Sequence, residues 1–101
     1  MDHRVARCLL LSHVLSADGI MAAPEKAFLT RAMDALGLTD VERDRVYAME
    51  DVEEAEAVVR GLPEATRREL VDELAAAALV DGQLSPHELT AVKGLTERLG
   101  L

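Results

Sequence analysis

Apolar residues recur along this chain at three- and four-residue intervals, and no window alternates polar with apolar positions as a half-buried strand does. The pattern predicts an all-α protein. The first segment, from about Asp2 to Ala17, sets Val5, Cys8, Leu9, Leu11, Val14 and Leu15 over well over half a helical circumference. A helix with so wide an apolar face belongs at the centre of a bundle, packed on several sides. Asp18-Gly19 ends it, because glycine tolerates the left-handed conformation that closes many helices. A second helix follows from about Ala23 to Leu36, with Phe28, Leu29, Ala32 and Leu36 as its stripe and Gly37 as its stop.

Thr39 precedes Glu42 by three residues, the spacing of a capping box, so a short helix starts there. Its apolar residues Val41, Ala48 and Tyr47 are expected to face inward. Asp51 opens the next helix, in which Val52, Ala55, Val58, Val59 and Leu62 share one arc, and Gly61 and Pro63 mark its end or a sharp bend. The break between Met49 and Asp51 leaves either one bent helix or two. From Pro63 a longer helix reaches about Val80 on a stripe of Leu70, Val71, Leu74 and Ala78, and it should pack against the first helix. The last helix starts behind Ser85-Pro86 and turns Leu89, Val92, Leu95 and Leu99 inward. Five or six helices in one compact bundle are expected, over 1–101 as a single domain.

An internal repeat changes this picture. Asp18-Gly19 followed by Glu25 recurs 63 residues later as Asp81-Gly82 followed by Glu88. In that register Leu11 falls on Leu74, Met21 on Leu84, Leu29 on Val92, and Leu36-Gly37-Leu38 on Leu99-Gly100-Leu101. Two helix–loop–helix hairpins are thus joined by a more acidic middle section.

Two readings of the repeated loop follow. In the structural one, each Asp accepts backbone N–H bonds in a tight turn and Met21 and Leu84 plug the hairpins. Ser85, Pro86 and Glu88 then take the cap, first and third positions of the last helix. In the chemical one, Asp18 and Glu25, and Asp81 and Glu88, each hold part of a weak Ca²⁺ or Mg²⁺ site completed by carbonyls and water. Neither loop is an EF-hand, since Ile20, Ala22 and Leu29 stand where the first loop needs oxygen ligands, and Val92 and Pro86 break the second.

Charge narrows the function classes. Eleven basic against nineteen acidic residues give a formal net charge of −8, and the arginines are scattered among carboxylates. Such a chain repels nucleic-acid phosphates and attracts cations or a basic protein surface. The apolar run from Cys8 to Leu15 is broken by Ser12 and His13 and is too short to span a bilayer, so no membrane insertion is expected. With a single cysteine and no leader pattern, a cytoplasmic location is expected.

Glu50, Asp51, Glu53, Glu54 and Glu56 crowd five carboxylates into seven residues. They form a solvated face, a docking patch for a basic partner centred on Glu53, Glu54 and Glu56, or a loose divalent-ion site. His3, His13 and His87 have no partner at zinc-ligand spacing. Cys8 reads as a small core residue, with no base and orienting group at hand to make it a nucleophile. No glycine-rich phosphate loop is present, and Lys26 and Lys93 serve to balance charge beside the acidic loops. No enzymatic activity and no required cofactor are expected.

The repeated hairpin resembles the tellurite-resistance TerB-like superfamily, which also includes the N-terminal region of some membrane-anchored J-domain co-chaperones. The resemblance lies in Ala17-Asp18-Gly19-Ile20-Met21-Ala22-Ala23-Pro24-Glu25 with Leu36-Gly37-Leu38, and in Val80-Asp81-Gly82-Gln83-Leu84-Ser85-Pro86-His87-Glu88 with Leu99-Gly100-Leu101. Val80 stands where that pattern has Ala, and Ala22 removes a polar linker group. The resemblance implies a compact helical bundle associated with stress or tellurite resistance, and divalent cations at Asp18, Glu25, Asp81 and Glu88. Together with the charge it leads to an expected role as a noncatalytic, acidic protein-interaction domain. The alternative is a divalent-cation-binding regulatory domain.

Overall fold

The structure, a computed structural model, describes residues 1–17, 19, 21, 23–48, 50–78 and 86–101, with only the backbone of residue 78. Six helices make up its regular structure: α1 (His3–Leu15), α2 (Ala23–Ala35), α3 (Asp40–Ala48), α4 (Val52–Arg60), α5 (Glu64–Ala78) and α6 (Pro86–Arg98). No strand occurs among the described residues, and none of their helices is long and apolar enough to cross a membrane. The junction at Met49, the reach of α5 to Val80 and the Ser85 cap lie outside the described residues, as does the side chain of Ala78.

α1 is the hub, touching each of the other five helices, with α4 its most extensive neighbour. Its wide apolar face explains this, for Val5, Ala6, Cys8, Leu9, Leu10, Leu11, Ser12, Val14 and Leu15 are all buried. Leu29 and Met33 of α2, Val46 of α3, Ala55 and Val59 of α4, Leu70, Leu74 and Ala77 of α5, and Val92 and Leu95 of α6 close over it. Each fully buried Leu contributes about 1.5–3 kcal/mol relative to solvent exposure. α1 starts at Asp2, whose carboxylate accepts the Arg4 backbone N–H at 2.8 Å and is held below the usual carboxylate range by the Arg4 guanidinium and that amide.

α3 departs from the expectation. Val41 is 78% exposed and Tyr47 53%, and Ala48 is exposed too, while Val46 is fully buried. The capping box itself forms: the Thr39 amide donates to Glu42 Oε1 at 2.9 Å, and the Glu42 amide donates to Thr39 Oγ1 at 3.2 Å. Polar tethers then set the rotation. Arg4 Nη2 bonds Glu42 Oε2 at 3.3 Å, and Arg43 donates to the Leu38 carbonyl at 3.1 Å and to Asp34 at 2.7 Å. Glu42 and Arg43 therefore face the bundle with Val46, one turn on, and Val41 and Tyr47 turn away.

Asp51 takes the N-cap position of α4 as expected, and its carbonyl accepts from the Ala55 amide at 2.9 Å. Its side chain makes no cap, and the carboxylate instead accepts from Arg45 Nη2 at 3.2 Å. That bond ties the end of α3 to the start of α4.

Candidate functional site

The 63-residue register holds in three dimensions. Gly37 and Gly100 both adopt positive φ, +68° and +78°, and close α2 and α6 with the same bonds. The Gly37 amide donates to the Asp34 carbonyl at 3.1 Å and the Gly100 amide to Glu97 at 3.0 Å. The Leu38 amide reaches the Met33 carbonyl at 3.1 Å and the Leu101 amide reaches Thr96 at 3.1 Å. Only glycine takes this left-handed cap position without strain.

A further equivalence lies in arginines that the sequence reading passed over. Arg4 Nη1 donates to the Leu36 carbonyl at 3.0 Å, and Arg67 Nη1 donates to the Leu99 carbonyl. Arg4 and Arg67 are themselves 63 residues apart, as are their acceptors. Each hairpin thus ties the beginning of its first helix to the end of its second, placing a cation on the carbonyls at a helix C-terminus. The signal was present in the repeat register, but it needed polar as well as apolar positions to be aligned.

Glu25 and Glu88, the acidic members of the loop motif, are both 2% exposed in the first turns of α2 and α6. Both residues take part in interactions within the fold. Met21 packs against the core as expected. Asp18, Asp81 and Leu84 lie outside the described residues. No group of three or more His, Cys, Asp or Glu that could hold a metal ion is found among the described residues.

The acidic run of α4 divides into three different environments. Glu53 is exposed and forms no ion pair among the described residues. Glu54, half exposed, lies 3.4 Å from the Met1 amine and 3.6 Å from Arg45 Nη2. Glu56 is buried, and its Oε1 accepts from Arg98 Nε and Nη2, each at 2.9 Å. Glu56 is therefore a clasp between α4 and the end of α6, and the free charge of this face belongs to Glu53 and, in part, Glu54.

Cys8 is 1% exposed. Burial and the nearby negative charge of Glu73 push its thiol up from 9.0 to about 12. At neutral pH it stays protonated. A thiol-specific disulfide reagent should therefore leave native Cys8 unmodified and label it as denaturant unfolds the chain; rapid labelling of the native protein would contradict this burial. The folded chain holds this proton to higher pH than the unfolded chain. The contribution to stability is intact below about pH 9 and is lost as pH rises towards 12. His3, His13 and His87 are exposed, with His3 and His13 at opposite ends of α1 and His87 in the first turn of α6.

Two grooves lie elsewhere. One of about 360 Å³ is lined by Phe28, Arg31, Ala32 and Glu73, between α2 and α5. A smaller one of about 220 Å³ is lined by Arg68, Val71, Asp72, Thr96 and Leu101. Neither contains a residue singled out for the loop motif or the acidic run. No family model, curated protein or solved structure matches the chain.

Proposed function

We propose that this chain is a noncatalytic, acidic docking domain of the TerB-like type, acting in the cytoplasm within a stress- or tellurite-response assembly. Its partner is a protein with a basic surface. The carrying observation is the state of the α4 carboxylates: Glu53 is exposed and unpaired among the described residues, beside a half-exposed Glu54 that lies 3.4 Å from the Met1 amine and 3.6 Å from Arg45 Nη2. Exposed ion pairs contribute little to stability, so these charges are available to an incoming cation at small cost to the fold. The twofold hairpin, with its matched glycine caps and arginine ties, supports the TerB-like reading because it extends the motif register to residues outside the motif.

The mechanism is electrostatic capture on a rigid body. A net charge of −8 steers a basic partner towards the domain, and a few desolvated contacts then supply most of the affinity. Charge reversal at both sites, Glu53→Lys with Glu54→Lys, is expected to slow association with the captured native partner about tenfold or more at low salt, with the melting temperature nearly unchanged. Surface plasmon resonance across a salt series measures it. An association rate insensitive to both the reversal and the salt would reject this face.

A second reading rests on the matched burial of Glu25 and Glu88. In it the two loops bind a divalent cation, with Asp18 and Asp81 as further ligands, and the cation regulates docking.

A further inference from the structure

We infer that the docking surface is centred on the outer strip of α3, and that its occupant is a basic amphipathic helix of a partner protein. This inference rests on the docking reading above and names the site and the partner's chemistry. Val41 and Tyr47 are the exposed large hydrophobic residues of the described structure, and both stand on this one nine-residue helix. Val41, Asp44 and Tyr47 follow one another at three-residue intervals, with Ala48 one turn beyond Asp44, so Val41 and Tyr47 bound a strip about 120° wide with Asp44 and Ala48 between them. All four are exposed.

The charges around the strip select the occupant. Asp40, Asp44, Glu50 and Glu53 are exposed and form no ion pair among the described residues. The nearest cations are already occupied: Arg45 is held by Asp51 at 3.2 Å and Glu54 at 3.6 Å, and Arg43 by Asp34 at 2.7 Å. Exposed apolar side chains interspersed with free carboxylates complement apolar anchors interspersed with Lys or Arg. A second copy placed face to face would set Asp40 and Asp44 against the same acids, and an anionic lipid surface carries the wrong sign. Val41 and Tyr47 are about 9 Å apart along the helix axis and stand on either side of Asp44. The mode is an amphipathic helix laid across this face, with apolar side chains on Val41 and Tyr47 and a cation on Asp44.

Arg45 of α3 bonds both Asp51 and Glu54, which ties the end of α3 to the start of α4 and its acidic first turn. Glu53 and Glu54 then act as the rim, governing encounter, while Val41 and Tyr47 form the apolar centre.

The chain has one tyrosine and no tryptophan, so its intrinsic emission reports on Tyr47 alone. A synthetic Leu/Lys amphipathic helix lacking Tyr and Trp is titrated into the full chain, against a scrambled peptide of equal composition and a Lys-only peptide. Saturable change in Tyr47 emission is expected with the amphipathic helix, and binding at least about tenfold weaker with the scrambled and Lys-only peptides. Val41→Lys combined with Asp44→Lys should weaken the amphipathic peptide about tenfold or more, with an unchanged circular dichroism spectrum. Glu53→Gln with Glu54→Gln should change mainly the salt dependence. Equal binding of all three peptides, no binding of the amphipathic one, or indifference to the α3 variant each overturn the inference. So does sedimentation showing a wild-type dimer that the α3 variant dissolves, because a second copy would then own the strip. In the native-partner assay, capture kept by the α3 variant but lost on Glu53/Glu54 reversal overturns this assignment and leaves the docking reading intact; loss of the docking reading itself requires insensitivity to that reversal.

Discussion

Leu10→Ala is expected to lower the unfolding free energy by about 3–4 kcal/mol, because the side chain is fully buried in the helix that touches every other helix. Neighbours on several sides limit collapse into the space left behind, which keeps the cavity part of the cost high. For a domain whose whole stability is about 5–15 kcal/mol, that loss lowers the melting temperature by roughly 15–25 °C. Urea denaturation followed by circular dichroism gives the free energy directly. The informative controls are on α3. Val46→Ala should cost about 2 kcal/mol, since Val46 is fully buried. Val41→Ala, at 78% exposure, should stay within about 0.5 kcal/mol. Equal costs at Val41 and Val46 would mean that α3 is rotated differently from the structure described above.

The second large effect is expected at the paired buried acids. Glu25→Ala and Glu88→Ala should each destabilise the chain by about 2–3 kcal/mol, because each removes a fully buried side chain that interacts within the fold and leaves a cavity in its place. The glutamine variants keep the shape and an acceptor oxygen and should lose less, about 1–2 kcal/mol. Both positions lie in the first turn of their helices, so a negative charge there also complements the helix N-terminus. The same variants separate the two functional readings. Under the docking reading, millimolar Ca²⁺ or Mg²⁺ leaves the wild-type melting temperature unchanged at 0.15 M salt. Under the cation reading it rises, and Glu88→Gln removes the rise. Differential scanning calorimetry resolves both effects in one series.

Several parts of the candidate site were legible from local pattern. Glu25 and Glu88 were marked by the repeat, and their matched burial follows from holding the same place in equivalent hairpins. Cys8 was marked as a core residue by its place on the apolar face of α1. The acidic run was visible as charge, but its three glutamates divide by what lies opposite them. Glu56 meets Arg98, which is 42 residues away in sequence, and Glu54 meets the chain's first amine, 53 residues away. No spacing rule within α4 separates those two from Glu53.

α3 illustrates the same division in the fold. Thr39 and Glu42 announce its start because a capping box is closed by neighbours in sequence. Its rotation was misjudged because few apolar residues mark a face: Val41, Val46, Tyr47 and Ala48 do not fall on one stripe. Tethers to other helices decide among the possible rotations, with Arg4 of α1 on Glu42 and Arg43 on Asp34 of α2 drawing that side inward. Val41 and Tyr47 are left outside in consequence, and the proposed docking strip exists only through that choice.

By itself the chain's pattern determined an all-helical chain of five or six segments, the central place of α1, and the register of the two hairpins, because periodicity, caps and glycine turns act over one or two turns of backbone. Only the tertiary structure decided which side of α3 faces solvent, which glutamates keep their charge free, and that Arg4 and Arg67 tie the ends of their hairpins. Those outcomes depend on long side chains meeting groups about 30 to 50 residues away, and such meetings are set by how whole helices pack.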